Sequence, residues 1–232
     1  MPLHSVQALP GGATLGCWHL RESPAGLWPL LADATAYAPL LPARAQGPRQ
    51  AQWLAGRVLV QQLLRRTAPA ATAPGVLPAL RNDAAGRPHL LGAGPLPAVS
   101  LSHAGEWVLA LLAPPGTAVG IDVEAVRDKA QRTRTKFLNE QELRTAEQLA
   151  AATPAEASWL YTLLWSAKET LFKLGGREGI IFRENLLLDL LATLPAPAGT
   201  LAARLHLAGP ETRHQICYLA LAPGYVLTYC VG

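Results

Sequence analysis

Hydrophobic residues recur with two distinct periods along this chain, and the switches between them mark its elements. In "PRQAQWLAGRVLVQQLLRRT" (48–67), Trp53, Val60 and Leu64 fall at helical spacing with Leu54 and Leu63 beside them, which predicts a helix. The stretch 68–97 is punctuated by proline and glycine and reads mostly as loop. "AVSLSHAGEWVLALLAP" (98–114) predicts two strands joined by a tight turn at Ala104–Gly105. "TAVGIDVEAV" (117–126) predicts another strand. One or two helices are expected over 128–150. A long helix follows over 154–174, opened beside Pro154 and stopped by Gly175–Gly176. Strand-like segments then recur at 180–190, 200–208, 214–222 and 224–231. Residues 1–48 show little periodicity beyond a short strand around Cys17–Leu20.

A weak internal likeness joins "WVLALLAPPGTAVGI" (107–121) to "CYLALAPGYVLTYC" (217–230), two apolar runs around a turn. The expected fold class is therefore α+β, with two related lobes in a pseudo-twofold arrangement. Each lobe is a helix packed on a small antiparallel sheet. The boundary is expected near residue 115, giving lobes of 1–115 and 116–232.

Composition narrows the class. Half of the 232 residues are hydrophobic and 16% are charged, which suits a folded globular protein. The net charge of +4 favours anionic ligands or acidic partners, but no lysine- or arginine-rich tract of the kind that binds nucleic acid is present. Three cysteines, none in a CxxC pair, fit a reducing compartment. No basic residue precedes Arg21 and no apolar run is long enough to span a bilayer, so a cytoplasmic protein is expected.

Two segments carry the candidate chemistry. In "GIDVE" (120–124), Asp122 and Glu124 share one face of a strand, with Ile121 and Val123 on the other. Neighbouring carboxylates repel unless a cation lies between them. A divalent ion such as Mg²⁺, which takes a few carboxylates together with phosphate oxygens, meets that need. A solvated strand face is the plain alternative. In "WSAKETLFK" (165–173), Glu169 and Lys173 are spaced i,i+4 on one helical face with Trp165, and Lys168 lies on the next face. An exposed Glu–Lys pair is the simple reading. The apolar surroundings argue instead for a buried helix, whose charges need partners. Glu169 is then a third metal carboxylate, and Lys168 and Lys173 meet the phosphates of an anionic ligand. Upstream, "SLSH" places Ser102 beside His103. Adjacent strand residues point to opposite faces, so the two suit ligand contacts better than a proton-sharing dyad. "GGATLG" (11–16) lacks the lysine of a P-loop, and "GGREG" (175–179) reads as a helix stop.

Taken in order, "GRP" (86–88), "SLSH", "GIDVE" and "WSAKETLFK" resemble the Sfp-type 4′-phosphopantetheinyl transferases over roughly residues 49–182. The resemblance implies transfer of 4′-phosphopantetheine from coenzyme A to a serine of an acyl or peptidyl carrier protein, with adenosine 3′,5′-bisphosphate released. Such carriers serve fatty acid, polyketide or non-ribosomal peptide synthesis. It implies Mg²⁺ on Asp122, Glu124 and Glu169, and Lys168 and Lys173 near the pyrophosphate. Arg87, Ser102 and His103 would contact the phosphates of coenzyme A, and Arg49 and Arg57 are further basic candidates on the 48–67 helix. Glu169 and Lys173 are the implied catalytic residues. A carboxylate or metal-bound water near Glu169 would take the serine proton. Glu142, in "FLNEQEL", matches a further acid of the family; Gln52 replaces a basic residue of some members, and Thr170 stands where Ala or Ser is commoner. The implied partners are coenzyme A and the carrier, with no nucleic acid or membrane expected, and two fused lobes make a monomer sufficient. Two other functions fit the same acids: a metal-dependent phosphohydrolase acting on coenzyme A or a related nucleotide, and a non-catalytic coenzyme A-binding module.

Overall fold

The computed structural model describes residues 3–67, 77–176, 179–190 and 196–232. The chain divides into two compact units, Met1–Val119 and Gly120–Gly232.

The first unit opens with strands β1 (Leu3–Ala8) and β2 (Thr14–His19), two short helices, α1 (Pro24–Leu27) and α2 (Ala34–Tyr37), and the long helix α3 (Pro48–Thr67). Strands β3 (Ala79–Asn82), β4 (Pro88–Leu91), β5 (Ala98–Ala104) and β6 (Trp107–Ala113) follow. The main sheet runs β1-β2-β6-β5 and is antiparallel, and β3 and β4 form a separate two-stranded sheet. Helix α3 lies on β2 and β6, burying Leu54, Leu59 and Leu63 against Trp18, Val108 and Ala110. Every residue of β6 is buried, as a central strand requires.

The second unit begins with β7 (Val119–Ala125) and continues with helices α4 (Asp128–Arg132), α5 (Glu140–Ala152), α6 (Ala157–Gly175) and α7 (Phe182–Asn185). Strands β8 (Leu186–Asp189), β9 (Ala198–Leu205), β10 (Thr212–Ala222) and β11 (Tyr225–Val231) complete a sheet ordered β7-β11-β10-β9-β8. Helix α6 packs on β11, and the core runs from Leu160, Leu163 and Leu171 to Leu201, Ile216 and Val226. The helix also makes polar contacts with β11. Thr228 Oγ1 lies 2.9 Å from Ser166 Oγ and 2.6 Å from Thr170 Oγ1, all three buried. The hydroxyl of Thr170 is thus paired inside the core, as a buried donor must be.

Each unit is a helix on an antiparallel sheet, as the hydrophobic periods predict. Two readings need correction. The apolar runs 107–121 and 217–230 are not equivalent hairpins. β10 and β11 pair with each other, whereas β6 and β7 belong to different sheets. The stretch 68–97 also carries the β3–β4 hairpin, although 68–76 lie outside the described residues, as do 177–178 of "GGREG". Pro88 hid the hairpin: it opens β4, a strand position that needs no ladder donor.

Candidate active site

The site in the second unit is built on the contact between β7 and α6. Gly120 makes that contact possible, because a Cβ there would run into the backbone carbonyl of Thr170. The glycine of "GIDVE" thus lets the strand lie directly against the helix. Ile121 and Val123 are buried, and Asp122, only 4% exposed, and half-buried Glu124 alternate with them.

Helix α6 supplies the groups that face these acids. Lys173 Nζ donates to Asp122 Oδ1 and to the carbonyl of Ile121, each at 2.8 Å. Two turns earlier on the helix, Trp165 Nε1 donates to Glu124 Oε1 at 2.9 Å. The Trp165 ring is wedged between Phe137, edge-on at 5.2 Å, and Phe182, stacked at 5.4 Å. That packing fixes the indole and, through it, the Glu124 carboxylate. Sequence reasoning placed Trp165 on the right face but missed its hydrogen bond, since nothing in a one-dimensional pattern distinguishes a packing tryptophan from a donating one.

Charge links the three acids. Burial, with the neighbouring Asp122 and Glu124 charges, pushes the Glu169 carboxyl up to about 7, partly offset by Lys173. Burial and then Asp122 also raise the Glu124 carboxyl, against the Trp165 hydrogen bond and Lys173. Among the described residues, no three His, Cys, Asp or Glu side chains converge closely enough to hold an ion as they stand. The donor set nevertheless fits a hard divalent cation in its chemistry: it is all carboxylate oxygen, and two of its members carry a strain in charge that such a cation would relieve.

Lys168 requires a correction. Its side chain is completely covered, with Nζ 2.6 Å from Glu142 Oε2 and 3.3 Å from the carbonyl of Phe182. An ammonium enclosed this way does not meet the pyrophosphate of a soluble ligand. Glu142 is equally committed. Oε2 also accepts from the Asn139 amide at 2.9 Å, Oε1 accepts from the Leu188 amide at 2.7 Å, and the residue is 3% exposed. It completes a capping box with Asn139 at the start of α5, ties that end to β8, and neutralises Lys168. This arrangement removes Glu142 from the candidates for a proton acceptor. The sequence carried the signal in "NEQE", an Asn followed three residues later by Glu, ahead of a helix.

In the first unit, Arg49 lies exposed in the opening turn of α3, and Arg87 follows the turn between β3 and β4. On β5, Ser102 is buried and His103 exposed, the opposite-face arrangement expected of neighbours on a strand. The Gln52 amide is occupied by the carbonyl of Gly105, at 2.9 Å. Arg57 is the second correction. It is 4% exposed, and Nη1 and Nη2 are spent on the carbonyl of Trp53 (3.0 Å) and Asn82 Oδ1 (2.7 Å). It is not an open ligand for coenzyme A.

A family profile described as the 4′-phosphopantetheinyl transferase superfamily matches residues 118–230. Over those residues the chain is similar to the 4′-phosphopantetheinyl transferase superfamily. The match takes in almost all of the second unit, including Asp122, Glu124, Glu169 and Lys173. The chain is also 30% identical over 131 residues to the protein named 4′-phosphopantetheinyl transferase AcpT of Salmonella typhimurium strain LT2, covering 56% of this chain and 62% of that one. The AcpT proteins of Escherichia coli O157:H7 and K12 are each 30% identical over 133 residues, covering 56% of this chain and 60% of theirs. The chain thus spans about three fifths of the length of these transferase relatives.

Proposed function

We propose that this protein transfers the 4′-phosphopantetheine arm of coenzyme A to a serine hydroxyl of an acyl or peptidyl carrier protein, releasing adenosine 3′,5′-bisphosphate. The observation that carries this reading is the Asp122–Glu124–Glu169 set facing Lys173 inside the segment that matches the transferase superfamily. Burial and neighbouring carboxylate charge raise both Glu124 and Glu169 beside the buried Asp122, and a polyphosphate with its counter-cation gives that arrangement a use.

The reaction is phosphoryl transfer. The serine oxygen bonds to the phosphorus bearing the pantetheine arm, the bond from that phosphorus to the bridging oxygen breaks, and the hydroxyl proton is lost. Such chemistry depends on positioning and charge neutralisation. Asp122, Glu124 and Glu169 would hold Mg²⁺, which when bound would neutralise pyrophosphate charge. Lys173 sits beside Asp122 and stabilises charge on the transferring phosphoryl group. Trp165 orients Glu124. In the first unit, Arg49, Arg87, Ser102 and His103 are the proposed contacts to coenzyme A. The net positive charge of the chain suits both coenzyme A and an acidic carrier.

A phosphohydrolase built on the same acids is separated by the fate of the nucleotide. With coenzyme A and Mg²⁺, release of adenosine 3′,5′-bisphosphate should require an apo carrier protein and stop at one equivalent per carrier. Release that runs on without any carrier would overturn transfer in favour of hydrolysis.

No helix among the described residues is long and apolar enough to cross a membrane. Action in the cytoplasm as a monomer is part of the same proposal.

A further inference from the structure

The buried Arg57 raises a question that the transfer reaction leaves open. Removing a guanidinium from water is costly and is normally repaid by a carboxylate. Here the partners are neutral: the Trp53 carbonyl, the Trp53 ring 3.4 Å from the guanidinium carbon, and Asn82 Oδ1. Nε has no hydrogen-bond partner among the described residues, and burial lowers the group to about 10. What the arrangement achieves is geometric. One nitrogen is anchored to the helix that carries it, and the other reaches the β3–β4 hairpin.

The hairpin needs such an anchor. It has two strands of four residues each, too little to hold its own place in water. Leu80 and Leu90 seat its base in the core of the first unit. Two polar tethers from α3 complete the attachment. Gln61, one turn beyond Arg57, donates to the Tyr37 hydroxyl at 3.4 Å, and that hydroxyl accepts from the Leu80 amide at 2.9 Å. Arg57 holds Asn82, whose Nδ2 donates to the carbonyl of Gly86 at 2.7 Å. The turn is then closed by Asp83, which receives the Arg87 amide on Oδ1 at 2.8 Å and donates its own amide to the Arg87 carbonyl at 2.9 Å. A continuous chain of hydrogen bonds therefore runs from Arg57 through Asn82 and Gly86 to the backbone of Arg87.

We propose that Arg57 is a positioning residue: through Asn82 it fixes the Asp83–Arg87 turn and sets where Arg87 meets the phosphates of an anionic ligand. This rests on the reading of Arg87 as a coenzyme A contact. Lysine would not replace it, because one ammonium does not span the helix carbonyl and the hairpin as a two-pronged guanidinium does.

The test uses the full chain and two readouts. Arg57→Ala empties the space of a buried side chain and risks the fold, so exposed Asn82→Ala is the primary variant and Arg57→Lys the second. Hydrogen exchange at the Gly86 and Arg87 amides should speed up in both, with exchange in β2 and β6 unchanged. Coenzyme A affinity, measured by calorimetry, should fall about fivefold in Asn82→Ala, on the order of the net worth of the Asn82–Gly86 hydrogen bond that holds the turn. The double variant Asn82→Ala/Arg87→Ala should bind no more weakly than Arg87→Ala alone, since Asn82 acts through Arg87. Unchanged exchange at Gly86 and Arg87 overturns the proposal whatever the ligand. So does an additive double variant, or normal affinity in Asn82→Ala when Arg87→Ala binds weakly. If Arg87→Ala itself binds coenzyme A normally, the ligand role of Arg87 falls and the positioning role with it. Carrier modification, measured separately, still decides the transfer reaction.

Discussion

At the scale of single residues, charge in this protein falls into two kinds. Lys168 and Glu142 are mutually satisfied and covered, so they hold structure. Lys168→Met should cost about 3–5 kcal/mol in denaturant unfolding, because the Glu142 charge is left buried and unpaired. A cost below about 1 kcal/mol would show the pair to be incidental. Glu124 and Glu169, set beside the Asp122–Lys173 pair, carry a strain in charge, and strain of this kind is what a ligand relieves. Lys173→Ala should lower kcat by ~100-fold while changing the KM for coenzyme A little, since its charge is needed where charge develops. Arg87→Ala should do the reverse, and equal effects on both parameters in both variants would contradict the division of roles. Glu169 also makes a pH prediction. Its carboxyl stands at about 7 in the folded protein against an ordinary 4.5. The protonated form is the one the fold favours, so this group's stability is fully present below about 4.5 and lost as pH rises towards about 7. In metal-free buffer, wild type should therefore lose stability relative to Glu169→Gln between pH 5 and pH 8. Parallel stability curves would refute it.

At the scale of elements, α3 was legible to the residue, because twenty residues of helical apolar spacing behind Pro48 admit little else. The β5–β6 hairpin was marked by alternation and a glycine turn, and α6 by its apolar density. The β3–β4 hairpin was illegible: its strands are four residues long, and its place depends on Tyr37, Gln61 and Arg57, all distant in sequence. In the candidate site the residue types and their shared faces could be read, since periods of 2 and 3.6 fix them. Burial could not, and burial is what separates Lys168 from Lys173, five residues on along α6. The seating of β7 on α6 gives the prediction at this scale. Gly120→Ala should destabilise by at least ~1–3 kcal/mol, because backbone atoms leave a new methyl no side chain to push aside. A neutral effect in thermal melts would show the strand free to withdraw.

At the scale of the molecule, the claim is that this fold serves one reaction, and the carrier protein itself records that reaction as mass. Purified protein should be incubated with coenzyme A, Mg²⁺ and each of several apo acyl and peptidyl carriers, and the carriers weighed intact. The account predicts that at least one carrier gains one phosphopantetheine per molecule. The gain should disappear with EDTA, with Asp122→Ala, and when the acceptor serine of the carrier is changed to alanine. If no carrier gains mass while coenzyme A is consumed and free phosphopantetheine accumulates, the account is contradicted and the acids serve a hydrolase.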